Sequence, residues 1–392
     1  SGAGELTVFV PWVRNEIHGD WSQFSGTINP VTDNDGGMFI VGNTTGFKNA
    51  SVHLGDNIRF IHSESADVVV EIGALTGEEG SILGAGGMAS NNITWKIGGK
   101  NTNFTFNGSI NNDQYKNSGA RTSIIKTGSG RWTLTNENTY TGNTIVEQGT
   151  SLLENSSGSA TGSGNVTVQA GAALAGTGAM SGSLLLEDNA SLLPAYGQIG
   201  TIHIGGNLAM TGNPTLMIDL DKGASAHDQV GVAGNLALGG ILMLSNLGIE
   251  SYAEGDAFQV LLTTGEISGS FSAIYPHVPG DGLQWDTTLL RSQGFLRVVK
   301  ATTSVETFSL QAGMEAFPNP FRNSLNIQFP ASAGIKDMQV FRIDGKRIEA
   351  GFETKDRTGW LLNTADLPTG TYLVKVTSAE GTTARKIVVK TK

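Results

Sequence analysis

The chain has 392 residues, of which 54 are glycine, 10 proline and none cysteine, and only 15% are charged. Glycine at about twice its usual share, without a three-residue period, argues against a helical bundle and against collagen. The lack of cysteine removes disulfide scaffolds and thiolate-bound zinc or iron–sulfur sites.

The formal charge of −10 divides unevenly. Residues 1–300 carry 13 Lys and Arg against 26 Asp and Glu, and residues 301–392 carry 12 against 9. The acidic body is unsuited to nucleic acid or an anionic membrane surface, and the step near residue 300 suggests a domain boundary. Hydrophobic residues at 39% are enough to fill a core. No run of 18 apolar residues suggests a transmembrane segment. The start, Ser1-Gly2-Ala3-Gly4, has no Met, basic region or apolar region, and suggests a processed or truncated product.

Short strand-type stretches recur from the N-terminus: Met38–Val41, Asn57–Ile61, Val68–Ile72, Ile93–Ile97, Arg131–Thr135, Asn143–Glu147 and Asn165–Val168. Most alternate apolar and polar residues, and clusters of Gly, Asn, Asp and Ser separate them. No segment has a helical period with caps, so residues 1–300 read as all-β.

Two weak repeats point to stacked coils. Gly206–Gly212 returns as Gly234–Gly240, 28 residues on, and strand-like stretches begin at Asn165, Ser183 and Thr201, 18 residues apart. Repeats of this size, with Gly and Asn at corners, suit a β-solenoid whose coils bury a shared apolar stripe.

Lys126-Thr127-Gly128-Ser129-Gly130-Arg131-Trp132-Thr133-Leu134, continuing through Asn138-Thr139-Tyr140-Thr141-Gly142 and Thr144-Ile145-Val146 to Gly149-Thr150, resembles the autotransporter-associated β-strand repeat. It departs from that pattern at Ser151, where Leu is usual, and this suggests a shift of the apolar position to Leu152. His227-Asp228-Gln229-Val230 and Gly282–Asp286 resemble the ends of such passenger regions. The resemblance implies a right-handed parallel β-helix and no particular activity.

Chemistry is sparse along this body. The six histidines, His18, His53, His62, His203, His227 and His277, lack metal-ligand spacing. Thr32-Asp33-Asn34-Asp35-Gly36 has the look of a calcium loop, but Val31 and Gly42 stand where carboxylates are needed, so a turn is the better reading. Asp219, Asp221, Glu254 and Asp256 could offer calcium oxygens, without any sign of convergence. Asp67, Glu71, Glu78 and Glu79 form the densest acidic group and read as a solvated edge. Trp12, Trp21 and Trp95 suit core packing better than sugar stacking. Thr287, in Asp286-Thr287-Thr288, resembles a short O-glycosylation acceptor. No catalytic set, cofactor site or metal site is expected.

Residues 301–316 begin rich in Thr and Ser and read as a linker, between a passenger region at 1–300 and a module at 317–392. Only 7 glycines lie beyond residue 300. Strands at Leu325–Phe329, Asp337–Ile343, Gly359–Asn363, Gly370–Thr377 and Thr383–Val389 suggest a small antiparallel sandwich.

This module carries Phe317-Pro318-Asn319-Pro320-Phe321, Asp344-Gly345-Lys346-Arg347, Leu367-Pro368-Thr369-Gly370-Thr371-Tyr372-Leu373-Val374, and Arg385-Lys386-Ile387-Val388-Val389-Lys390. In this order the motifs closely resemble the type A C-terminal sorting domain of the type IX secretion system of Bacteroidetes-type bacteria. The resemblance implies export through the type IX translocon, then removal by a sortase-like peptidase, with release or anchoring by a surface glycan or lipopolysaccharide. Each motif also has a local reading. Pro318 and Pro320 restrict the chain before a strand, Asp344-Gly345 suits a hairpin turn, and Tyr372 and Val374 alternate toward a core. Lys386 and Lys390 could face a translocon or an acidic surface, or form a solvated strand face.

Three functional readings stay open: an adhesive or structural surface solenoid, the C-terminal part of an exported polysaccharide-degrading enzyme, and secretion cargo held by translocon or shuttle proteins.

Overall fold

The computed structural model describes residues 2–11, 15–62, 66–86, 90–112, 119–301, 314–329, 335–342, 346–354, 359–364, 367–378 and 383–391. The chain divides into two compact units, residues 1–301 and 302–392. Among the described residues the only helix is the single turn Leu290–Gln293, so the fold is all-β.

The first unit is a parallel β-helix with three faces. On the first face, Asn92–Ile97, Arg121–Lys126, Thr144–Val146, Val166–Val168, Leu184–Leu186, Leu208–Met210, Leu236–Leu238 and Ile267–Gly269 stack in parallel. On the second, Phe104–Phe106 leads a stack through Arg131–Leu134, Thr150–Leu153, Ala173–Gly176, Ser191–Pro194, Thr215–Asp221 and Ile241–Asn246 to Ala273–Tyr275. The third face has two sheets. One runs from Asn15–Ile17 to Ser109–Ile110, and the other joins Ala179–Met180, Thr201–Ile204, Gln229–Val232 and Leu261–Thr263. Nearer the N-terminus, the long strand Val68–Gly77 serves two faces, pairing with Asn92–Ile97 at its start and with Phe106 at its end.

Alternation decides which side chains enter the core. In Asn92–Ile97, Ile93, Trp95 and Ile97 are fully buried, while the residues between them are only partly covered. No coil could bury such a row alone. Stacking at about 4.8 Å covers each row with the next and pairs its backbone on both sides. The core continues into an antiparallel group formed by Ala257–Gln259, Leu283–Asp286 and Phe295–Lys300, where Phe258, Leu296 and Val298 join the same cluster.

The 28-residue repeat is one coil, since Leu208 stacks on Leu236, and the 18-residue step from Asn165 to Ser183 is another, with Val166 on Leu184. The further step to Thr201 is not a coil. Thr201–Ile204 lies on the third face, and the rung after Leu184 is Leu208. The loops between faces vary in length, so equal spacing along the chain need not mean equal position in the coil.

The second unit is a sandwich of two four-stranded antiparallel sheets. One orders Glu315–Phe317, Ser324–Gln328, Gly359–Asn363 and Phe352–Thr354, and the other Arg347–Ile348, Ile335–Arg342, Gly370–Ser378 and Thr383–Lys390. Leu325, Ile327 and Leu362 from the first meet Val340, Tyr372, Val374, Val376, Ala384 and Val388 from the second in one core. Met314 is buried and the first strand, Glu315–Phe317, begins within the stretch 301–316 read as linker. Asp344, Gly345 and Trp12 lie outside the described residues.

Candidate functional site

The repeat-like segment 126–150 is a set of fasteners between coils. Lys126 occupies an inward position, stacked between Ile97 and Val146, and is fully buried. Its ammonium donates to Thr127 O at 2.8 Å, Gly128 O at 2.8 Å and Gln148 O at 3.0 Å. Three donors thus meet three carbonyls from two successive coils. Burial lowers the pKa of this group to about 8.

Asn138 works in the same way. Its Oδ1 accepts from Ile110 N at 2.6 Å, and its Nδ2 donates to Ala160 O at 2.6 Å, tying a coil on either side. The buried Tyr140 hydroxyl meets Thr144 Oγ1 at 2.5 Å. Ser151 does not pass its place to Leu152. It takes the inward slot itself, between Trp132 and Leu174, and Leu152 falls in the column of Thr133 and Ala175.

A second device runs along the corner before the first face. Asn143 Oδ1 accepts from Asn165 N at 3.1 Å, Asn165 Oδ1 from Ser183 N at 3.0 Å, and Ser183 Oγ from Asn207 N at 3.0 Å. Asn207 Oδ1 then accepts from Asn235 N at 2.8 Å, and Asn235 Oδ1 from Glu266 N at 3.0 Å. Each of these residues follows a glycine. A Cβ on Gly164 would lie 2.0 Å from Gly142 O, and one on Gly182 2.0 Å from Gly164 O, so only glycine allows this approach.

The scattered candidates do not converge. Trp95 is fully buried and donates to Gly84 O at 3.1 Å, and Trp21 packs edge-on against Phe24 and Phe47, so both serve the core. In the turn at Thr32, the side-chain oxygen accepts from Asn34 N. Asp67 accepts from Asn92 N at 2.7 Å. Glu71 is in register with Lys96, and Glu78 lies 3.4 Å from His53 at the next corner. Asp256 pairs with Lys222 and Glu254 with Lys300, each at 3.1 Å. Asp221 accepts from Ala224 N at 3.0 Å.

His18 is exposed near Glu16, His203 and His277 are exposed, and His62 is buried. Burial lowers the pKa of His227, opposed by its contact with Gln259 O. Asp228 is the internal hub that the sequence marks only by resemblance. Its carboxyl accepts from Gly200 N and Asp219 N, both at 2.9 Å, binding two segments at once. Burial pushes it up to about 7 against those bonds, and the nearby Asp219 adds to the rise. Thr287 is exposed. Its neighbour Asp286 pairs with Arg297 and accepts from Thr288 N, and these contacts outweigh burial to hold Asp286 below its ordinary range.

In the sandwich, the Pro-Asn-Pro motif lies beside the last strand. Asn319 donates to Ile387 O at 3.1 Å and accepts from Val389 N at 2.8 Å. Pro318 and Pro320 flank it, and the buried Phe321 bonds through its backbone to Val389 and Thr391, both at 2.8 Å. Tyr372 and Val374 are buried on the inner face, and the Tyr372 hydroxyl donates to Pro368 O in the Leu367–Gly370 segment.

The two lysines differ. Lys386 is exposed in register with Val374, whereas Lys390 folds inward and donates to Thr364 O at 2.5 Å and Leu367 O at 2.6 Å. Lys346 is exposed, and its carbonyl accepts from Arg342 N. Thr364, fully buried and donating to Asn323 O, went unnoticed in the sequence because a lone Thr after a strand carries no signal.

Residues 315–390 match the family described as secretion system C-terminal sorting domain, and residues 124–150 match the family described as passenger-associated-transport-repeat. No curated protein matches the chain. The tail marks the chain as type IX secretion cargo, bound for the cell surface or the extracellular space and carrying a β-repeat passenger. Among the described residues, no helix is long and apolar enough to cross a membrane.

Proposed function

We propose that the β-helix is a surface or secreted body with an adhesive or structural role, whose working part is its extended faces. The observation behind this reading is the pairing of a stacked, mutually fastened coil body with a separate sandwich that matches a sorting domain. In this reading residues 1–300 form the passenger and the segment before Met314 is where a sortase-like peptidase cuts. The translocon reads the sandwich through Pro318, Asn319, Pro320, Asp344, Gly345, Lys346, Leu367, Pro368, Gly370, Tyr372, Val374, Lys386 and Lys390. A surface glycan or lipopolysaccharide then holds the passenger at the outer membrane, and Thr287 is open to O-glycosylation.

Fractionation of cells with an active type IX system tests this. The full chain should reach the surface or medium, and a chain ending at residue 314 should stay in the periplasm. Equal export of both would refute the reading.

A further inference from the structure

An open groove of about 940 Å³ lies on the third face of the β-helix, against the single helical turn Leu290–Gln293. Its size is within the range of small-molecule sites. Its floor is the outer side of three rungs, where His203, Gly231 and Leu262 stack in register. Gly231 leaves this floor flat, and the His203 ring leans over it, 3.0 Å from where a Cβ would stand.

Amide and hydroxyl side chains, among them Gln293 and Thr264, form the rim together with Arg291. The body around it holds twice as many acidic as basic residues, yet no Asp or Glu lines the groove. Among the described residues no acid pairs with Arg291 or His203. Arg291 is exposed and open to a partner.

A floor made of the Leu262 side chain and the His203 ring, edged with amides and hydroxyls, suits a sugar, which has C–H faces and hydroxyl edges. The guanidinium fork suits a carboxylate. We propose that this groove binds an acidic saccharide, with Arg291 holding the carboxylate, His203 adding donor capacity and the sugar ring lying over Leu262, beside the His203 ring that covers Gly231. A neutral saccharide would leave Arg291 without a partner, and an inorganic anion would leave most of the volume empty.

Calorimetric titration of the full 392-residue chain with trigalacturonate, its methyl ester, maltotriose and inorganic phosphate tests the proposal. Trigalacturonate should bind, and the methyl ester and maltotriose should bind at least about tenfold more weakly. Arg291→Ala should lose about tenfold, Arg291→Lys should recover part of it, and Leu262→Trp should block the floor. Both sites are on the surface, so thermal midpoints should stay unchanged. Absence of trigalacturonate binding, equal binding of its ester, indifference to Arg291→Ala, or phosphate binding as tightly would overturn the proposal. Secretion plays no part in the assay, so its failure is separable from a failure of the sorting assignment.

Discussion

Replacing Lys126 with Met separates the structural meaning of the repeat motif from mere apolar filling. The thioether keeps most of the volume but leaves the carbonyls of Thr127, Gly128 and Gln148 without this donor. Three charge-assisted hydrogen bonds at about 1.5–3 kcal/mol each give a gross loss of roughly 4–9 kcal/mol. Against this stands the cost of holding an ammonium in the core. The fall from 10.5 to about 8 corresponds to about 3 kcal/mol. The net expectation at neutral pH is a loss of about 1–6 kcal/mol, read as a lower urea midpoint, with hydrogen exchange rising first over residues 121–153.

The pH dependence gives a sharper check. A lysine whose folded pKa is depressed penalises the fold below that pKa, and the penalty lifts as pH climbs toward the unfolded value. The stability gap between wild type and Lys126→Met should therefore widen from about pH 8 to about pH 10.5. A gap that stays constant or narrows over this window, or a variant as stable as wild type, would refute the role given to Lys126.

Asn207→Ala should leave Asn235 N without its 2.8 Å acceptor, costing about 1–2 kcal/mol, and amide exchange at Asn235 should accelerate more than at Asn165. The raised folded pKa of Asp228 means that its contribution is greatest below about pH 4 and is lost as pH rises to about 7. The stability advantage of wild type over Asp228→Asn in urea titrations should accordingly shrink across that window and level off above it. In the sandwich, Lys390→Met should cost about 2 kcal/mol by stranding the carbonyls of Thr364 and Leu367, while Lys386→Met should stay within about 0.5 kcal/mol.

Alternation carried much of the fold in the sequence. Ile93, Trp95 and Ile97 point inward as their period requires, and the five sandwich strands expected fall within two residues of those formed, whereas the short strands Glu315–Phe317, Arg347–Ile348 and Phe352–Thr354 were not foreseen. Coil register was harder to see. The corner pairs Gly142-Asn143, Gly164-Asn165, Gly182-Ser183, Gly206-Asn207, Gly234-Asn235 and Gly265-Glu266 each precede an apolar rung, but loops of unequal length separate them. A fixed period therefore catches the 28-residue coil at Gly206 and the 18-residue coil at Asn165, and then runs off the rung at Thr201.

Buried polar fasteners were the least legible. Lys126 and Lys390 look like surface charges until carbonyls from other segments surround them. Asp228 needs Gly200, 28 residues away, to show its role. The groove at Arg291 depends on rungs far apart in sequence and on the absence of acids from one place in an acidic body, which composition alone cannot express.

The most direct test of the central claim is the intact mass of the extracellular form from cells with an active type IX system. The account predicts a passenger that has lost the sandwich, with or without an added surface glycan. A secreted form that retains Lys392 would contradict it.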